Sequence, residues 1–302
     1  MSQEQRARRI ALGTCAAMPG LSLDDRHLLA ALRARGLDAT PVVWEDRYVD
    51  CQSNDLILVR SVWDYAYRWR QFLAWTRAMA NLTRFHNSAE IIGWNLHKRY
   101  LNDLGAREVA VVPTLVFEPP DQVELDQVIS AQGWDDAILK PAIGAAGRWV
   151  TRFRAGEGAL TAERARHLLN HEDVLLQPFL PGVLERGELS VVFIDGEPTH
   201  AVRKRAASAD ELRVHDDFGG LVEPVEPTVD EEQLARAAMA AVEGEPLYGR
   251  VDIIEGPERQ PLVSELELIE PELFFRFSQP AVDRMCDALE RLCSRQEPGA
   301  GP

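Results

Sequence analysis

Arg250-Val251-Asp252-Ile253-Ile254 and Leu262-Val263-Ser264-Glu265-Leu266-Glu267-Leu268-Ile269-Glu270-Pro271 flank the turn Glu255-Gly256-Pro257-Glu258-Arg259-Gln260-Pro261. Two strand-like runs around a Gly/Pro turn predict a β-hairpin. Side chains alternate along a strand, so Glu265 and Glu267 share one face and Leu266 and Leu268 take the other. If Ile254 pairs with Val263, Asp252 stands opposite Glu265 and Arg250 opposite Glu267. Carboxylates facing one another destabilise a sheet. A divalent cation would remove that penalty, and oxygen-only ligands favour Mg²⁺, which bridges carboxylates to substrate phosphates. The competing explanation is a solvated face of an acidic protein. The core-like partner face, Leu266 and Leu268, argues against it.

The chain has 302 residues, 46% hydrophobic and 27% charged, which suits a globular protein of two or three subdomains. Its formal net charge of −15, from 33 basic and 48 acidic residues, argues against non-specific binding to nucleic acid or anionic membranes. Cys15, Cys51, Cys286 and Cys293 form no close pair with zinc or redox spacing, which predicts core-facing thiols in a reducing cytoplasm. The seven histidines show no metal spacing. No secretory leader is legible, and no stretch approaches the roughly 18 apolar residues of a membrane span. A soluble, cytoplasmic protein is expected; the sequence leaves open whether it is a homodimer.

Around the hairpin the pattern is α/β. Strands are expected at 10–14, 41–44 and 55–60, and helices from Ser22 to Gly36 and over 68–80. This order fits a small doubly wound domain, and the lack of G-x-G-x-x-G speaks against a dinucleotide site. A short helix over 95–104 carries Lys98. Strands at 111–115, 137–140, 148–153 and 174–177 and helices at 123–132 and 161–170 suggest a second α+β unit. Asp195-Gly196 predicts a hairpin between 189–194 and 197–205. With a two-residue turn there, Arg203 would face Glu188. Residues 206–220 are expected to form a mobile loop, 230–242 and 281–293 helices, and 296–302 a disordered tail.

Lys140-Pro141-Ala142-Ile143-Gly144-Ala145-Ala146-Gly147 places a lysine at a strand end before a loop of small residues. Such a loop lets backbone N–H groups approach phosphate oxygens, and the lysine adds a point charge. Taken alone it is more often an ordinary hairpin turn. Gln177-Pro178-Phe179-Leu180 is suited to an adenine edge, with an interdomain linker as the alternative.

In order, Lys98, the Lys140 loop, the 177–180 segment, Gly187-Glu188-Leu189-Ser190, Arg250-x-Asp252 and Glu265-x-Glu267 resemble the ATP-grasp superfamily, the glutathione synthetase-like carboxylate–amine ligases. Val59-Arg60-Ser61-Val62-Trp63-Asp64-Tyr65, His200-Ala201-Val202-Arg203-Lys204-Arg205 with Leu212-Arg213-Val214, and Glu265 through Phe275 are similar to the O-ureidoserine cyclo-ligase family of cycloserine biosynthesis. The resemblance implies an N-terminal pre-ATP domain (1–110), a lid subdomain (111–181), a C-terminal subdomain with the metal site (182–295) and a tail (296–302), with ATP between the last two subdomains. It implies ATP and two Mg²⁺ ions as cofactors. Lys98 and Lys140 would contact phosphates, with Gly144 and Gly147 closing over them. Gln177, Pro178, Phe179 and Leu180 would hold adenine and Glu188 the ribose. Asp252, Glu265 and Glu267 would bind metal, and Arg250 would stabilise the transferring phosphoryl group or the later tetrahedral intermediate.

Two departures stand out. Many such ligases carry Asn at the position of Glu267, and the glycine loop here ends in the bulky pair Arg148-Trp149. For an amino-acid-like substrate, Arg60, Ser61, Trp63 and Asp64 follow the third strand at its carboxyl end, where open α/β sheets bind ligands. Arg60 suits a carboxylate and Asp64 an ammonium; Trp63 and Tyr65 are equally suited to packing on the next helix. Arg213 is a candidate clamp or a solvated arginine, and Lys204 is carried as a catalytic candidate of open role. The expected reaction forms an acyl phosphate and then an amide or ring. The rivals are a non-catalytic ATP-binding or assembly protein and a small-molecule kinase.

Overall fold

The computed structural model describes residues 8–294, except 47, 49, 120–123, 146, 155–166, 169 and 208–218. Its first sheet is parallel, in the order β2-β1-β3-β4, from β1 (Arg9–Thr14), β2 (Asp38–Val43), β3 (Leu56–Ser61) and β4 (Arg84–His86). α1 (Asp25–Ala34) buries Leu28, Leu29 and Leu32, and α2 (Trp69–Ala80) buries Phe72. β4 was not anticipated: three residues are too few to show alternation. The helix expected over 95–104 is two helices, α3 (Ala89–Asn95) and α4 (Tyr100–Ala106). Lys98 lies in the turn between them, where its N–H bonds to the Ala142 carbonyl (2.8 Å) instead of continuing a helix.

The second sheet is antiparallel, β5-β8-β6-β7, from β5 (Leu115–Phe117), β6 (Asp136–Pro141), β7 (Thr151–Arg154) and β8 (Val174–Pro178), with α5 (Leu125–Gln132) beside it. The strand expected over 111–115 starts only at Leu115; Val111 instead bridges to Val263. The helix expected over 161–170 falls mostly outside the described residues.

The third sheet, β11-β10-β9-β12-β13, is antiparallel and contains β9 (Glu188–Ile194), β10 (Glu197–Arg205), β11 (Leu221–Val225), β12 (Tyr248–Glu255) and β13 (Pro261–Glu267). Two helices accompany it, α6 (Val229–Ala240) and α7 (Gln279–Ser294). One apolar core joins α1, β1 and β3 to α7 and β9, so the first and third sheets share it. Most of the loop expected over 206–220, and the tail from 296, lie outside the described residues.

Two bulges set the chemistry. In the β12–β13 hairpin Ile254 pairs with Leu262, not Val263, and the extra residue Ser264 restores Asp252 opposite Glu265 and Arg250 opposite Glu267. In the β9–β10 hairpin a shift between Pro198 and His200 moves the register by one. Lys204, not Arg203, therefore stands opposite Glu188. Arg203 turns to Glu231 instead (3.1 Å).

β13 is an edge strand, and its edge is covered by the N-terminal helices. Asn95 donates to the Leu266 carbonyl and accepts from the Leu268 N–H, both at 2.8 Å, and the Leu266 N–H donates to the Tyr100 hydroxyl (3.1 Å). Asn87 donates to the Tyr248 and Leu268 carbonyls and accepts from the Leu247 N–H. Asn95→Ala leaves two buried backbone groups unpaired and is expected to cost about 2–4 kcal/mol. The check is a lower denaturant midpoint with an unchanged m-value.

Among the described residues no helix is long and apolar enough to cross a membrane. All four cysteines are free; three are buried and Cys293 is half-buried.

Candidate active site

A cavity of about 280 Å³ runs between the second and third sheets and is also lined by Trp63 and Tyr65, which follow β3. Lys98, Lys140, Gly144, Gly147, Gln177, Pro178, Phe179, Leu180, Glu188, Lys204, Arg250, Asp252, Glu265, Glu267 and Trp63 all line it. Motifs separated by up to some two hundred positions in the chain thus meet on one surface.

The cationic side is built from β6 and the turn after α3. Lys140 lies near the end of β6 and makes no ion pair with any described residue. Burial, reinforced by Lys98, lowers its pKa, with Glu265 opposing. An anion placed there would reverse that penalty, so the site fits a phosphate. Gly147 has a φ of +67°, which lets the loop turn tightly before Arg148. Arg148 pairs with Glu172, donates to the Ile143 carbonyl (3.1 Å), and lies over the ring of Tyr67 from the N-terminal domain. The bulky loop end thus has its own partners.

The 177–180 segment leaves β8 along the cavity wall. The Gln177 side chain donates to Thr114 (2.9 Å), the Phe179 N–H bonds to the Asp136 carbonyl, and Arg152 stacks on one face of the Phe179 ring at 3.6 Å.

The acidic hairpin meets a set of cations. Arg250 grips Asp252 with two bonds of 2.9 Å and pairs with Glu267 at 2.7 Å. Lys204 bridges Glu188 (2.8 Å) and Asp252 (3.2 Å), and Lys98 pairs with Glu265. Gly187, at φ +83°, lets the backbone of β10 pass close to the start of β9: a Cβ there would lie 2.3 Å from the Lys204 carbonyl oxygen.

Burial would raise the Asp252 pKa, but Arg250 and Lys204 hold it well below the ordinary carboxylate range. Burial also opposes Glu265 ionisation, and Lys98 with Lys140 outweighs it and lowers its pKa. At Glu267 burial raises the pKa and outweighs Arg250, with Glu265 and Asp252 adding to the rise. Glu270 is pushed up to about 8 by burial and then by Glu267.

Glu267 and Glu270 thus resist losing their protons, a penalty that a divalent cation would remove, and the donors are all oxygen, which suits Mg²⁺. Among the described residues no three His, Cys, Asp or Glu side chains form a ready ligand set. The carboxylates are instead drawn onto Lys and Arg, and a metal would have to displace some of those contacts.

Three predicted substrate residues do not reach the cavity. Arg60 is 1% exposed; it pairs with Asp25 at 2.8 Å and donates to the Pro271 carbonyl at 2.6 Å. Ser61 accepts from the Ser22 N–H and donates to Asp25. Asp64 accepts from Trp44 Nε1 (2.9 Å) and pairs with Arg68, so it is not offered to an ammonium. Arg60 and Ser61 end β3 and Asp64 follows it, at the carboxyl end where the run was expected, but Asp25, placed by α1, diverts Arg60 into the core. Arg213 lies outside the described residues. Tyr65, weighed with Trp63 between ligand contact and packing, also lines the cavity, as do Asn95, Arg148, Glu270 and Glu272, which had no expected role there. Glu270-Pro271, where the chain leaves β13, was the available signal for two of them.

A lysine-flanked cleft between two α+β sheets, with an acidic hairpin at its base, defines an ATP-grasp enzyme. Residues 107–257 match the prokaryotic glutathione synthetase ATP-grasp domain, and residues 10–87 match the N-terminal domain of D-cycloserine synthetase DcsG. The chain belongs to the ATP-grasp family and is an ATP-dependent carboxylate–amine ligase. It is 33% identical over 294 residues to the cycloserine biosynthesis protein DcsG of Streptomyces lavendulae, covering 94% of this chain and 98% of that protein. It is 28% identical to the glutathione synthetase of Prochlorococcus marinus (strain MIT 9313), over 69% of this chain and 63% of that one. The crystal structure of D-cycloserine synthetase DcsG superposes with a TM-score of 0.86 at 32% identity, covering 94% of this chain and 99% of the other. D-alanine–D-alanine ligase from Bacillus anthracis shares the fold at a TM-score of 0.69 and 14% identity, over 95% and 97% of the two chains.

Proposed function

We propose that the protein activates a small, amino-acid-like carboxylate as an acyl phosphate and couples it to an amine, either on a second molecule or within the same one. The observation that carries this reading is the unpaired Lys140 facing the carboxylate hairpin across one cavity. Lys140 and Lys98 hold the ATP phosphates, the loop with Gly144 and Gly147 covers them, Gln177 to Leu180 receive adenine, and Glu188 the ribose. The substrate carboxylate oxygen attacks the γ-phosphorus and ADP leaves. The amine nitrogen then attacks the acyl carbon, phosphate departs with the bonding electrons, and the ammonium proton passes to solvent. Arg250 and Lys204 neutralise the charge that develops, with Arg213 assigned to the same task. Asp252, Glu265 and Glu267 are the residues to hold Mg²⁺, which when bound neutralises phosphate charge. The lid excludes water from the acyl phosphate.

Similarity to a cycloserine biosynthesis protein supports a substrate of amino-acid size. The test is ADP release with Mg²⁺ and a panel of amino-acid-like carboxylates, with hydroxylamine present to trap acyl phosphate as hydroxamate. Carboxylate-dependent ADP and hydroxamate in equal amounts are expected. Nucleotide binding without turnover would point to a binding protein, and a phosphorylated product inert to hydroxylamine to a kinase.

A further inference from the structure

We propose that Glu270, together with the Tyr65 hydroxyl, is the subsite for the substrate's ammonium group and makes the ligase selective for amino-acid-like acids. The inference rests on the ligase reading above and deepens it. The other carboxylates along the cavity are held by cations of the chain: Glu188 and Asp252 by Lys204, Glu265 by Lys98, Glu267 by Arg250, and Glu272 by Arg276. Glu270 is the exception among the described residues. It lines the cavity, is 8% exposed, and its carboxylate makes no ion pair or hydrogen bond with a described residue. Only its backbone carbonyl is engaged, accepting from Trp63 Nε1 at 3.1 Å.

A buried, unpaired carboxylate is costly, and a cationic ligand group removes the cost. Tyr65 faces the same cavity from the N-terminal domain. It is 5% exposed, and its hydroxyl has no hydrogen-bond partner among the described residues. Of the charged groups around that hydroxyl, Glu270 acts on it most strongly. An ammonium carries three N–H donors, and these two oxygens, both lining the one cavity, supply acceptors. The position lies beyond the end of β13 and beside the residues that follow β3, at the carboxyl end of the parallel sheet where such folds receive ligands. Charge also balances across the cavity. Lys140 is an unpaired cation for the anionic nucleotide, and Glu270, which burial holds largely protonated, becomes the matching anion when the cationic end of the substrate arrives.

The experiment compares a panel of D- and L-α-amino acids, each as the aminated probe, with the same acid lacking its amino group (alanine against propanoate, and so on), using ADP release under Mg²⁺-ATP. The wild type is expected to favour the aminated probe by about 100-fold in kcat/KM, the worth of a buried charge-assisted bond. Glu270→Gln, with an unchanged thermal midpoint, is expected to reduce that preference below about tenfold, through the KM of the aminated probe, with the Mg²⁺ half-saturation unmoved. Tyr65→Phe, which keeps the ring, is expected to reduce it less. A wild-type preference retained in Glu270→Gln overturns the subsite. A large rise in Mg²⁺ half-saturation with the preference retained also overturns it and makes Glu270 a metal ligand. A wild type that binds ATP but releases no ADP with either probe overturns the subsite and, separately from any variant, the substrate class proposed above.

Discussion

Glu265→Gln is expected to lower turnover by about two to three orders of magnitude while the protein stays folded. Glu265 stands opposite Asp252 across the β12–β13 ladder and pairs with Lys98. It is also the carboxylate drawn on by both cavity lysines, Lys98 first and Lys140 second. The amide keeps the size of the side chain and an oxygen but loses the charge that a divalent cation requires. The fold tolerates this because the side chain is partly solvated, 23% exposed, and β13 is held through its backbone by Asn95 and Tyr100. The checks are steady-state ADP release at saturating Mg²⁺ and the thermal unfolding midpoint. Near wild-type turnover would remove Glu265 from the metal site.

Arg60→Met is expected to destabilise the protein by about 3–5 kcal/mol, the usual cost of breaking a buried ion pair and leaving one charge behind. The charge left behind is Asp25, which is itself buried and also bonded to Ser61 and Ser22. Arg60 does more than pair with it. The guanidinium lies 5.0 Å from the centre of the Tyr248 ring and donates to the Pro271 carbonyl, so it anchors the segment that carries Glu270 and Glu272. The change should appear as a lower denaturant midpoint. A variant of normal stability with a raised carboxylate KM would return Arg60 to the substrate-binding role that the sequence suggested for it.

Those two residues mark the limit of what the sequence reveals. Glu265 was legible because strand alternation and a turn are local facts, and a carboxylate facing another carboxylate has few explanations. Even the register error there, Ile254 with Val263, did no harm, since the bulge at Ser264 restored the pairs that matter. The same kind of bulge near Thr199 did mislead, giving Lys204 the place opposite Glu188 that was expected for Arg203, because bulges have no side-chain pattern of their own. Arg60 was misread because its partner, Asp25, lies on a different element and only the packing of α1 on β3 brings them together. Lys98 was found, but not the break between α3 and α4 that presents it, which depends on a carbonyl from the loop after β6. Glu270 had no visible role in one dimension because its significance is the partner it lacks.

Transfer of an oxygen atom tests the central claim most directly. With the substrate carboxylate labelled with ¹⁸O, Mg²⁺ and ATP, activation through an acyl phosphate predicts that the phosphate released on coupling carries one ¹⁸O atom derived from the carboxylate. Released phosphate without the label would contradict the acyl phosphate, and with it the account of this cavity as a carboxylate-activating site.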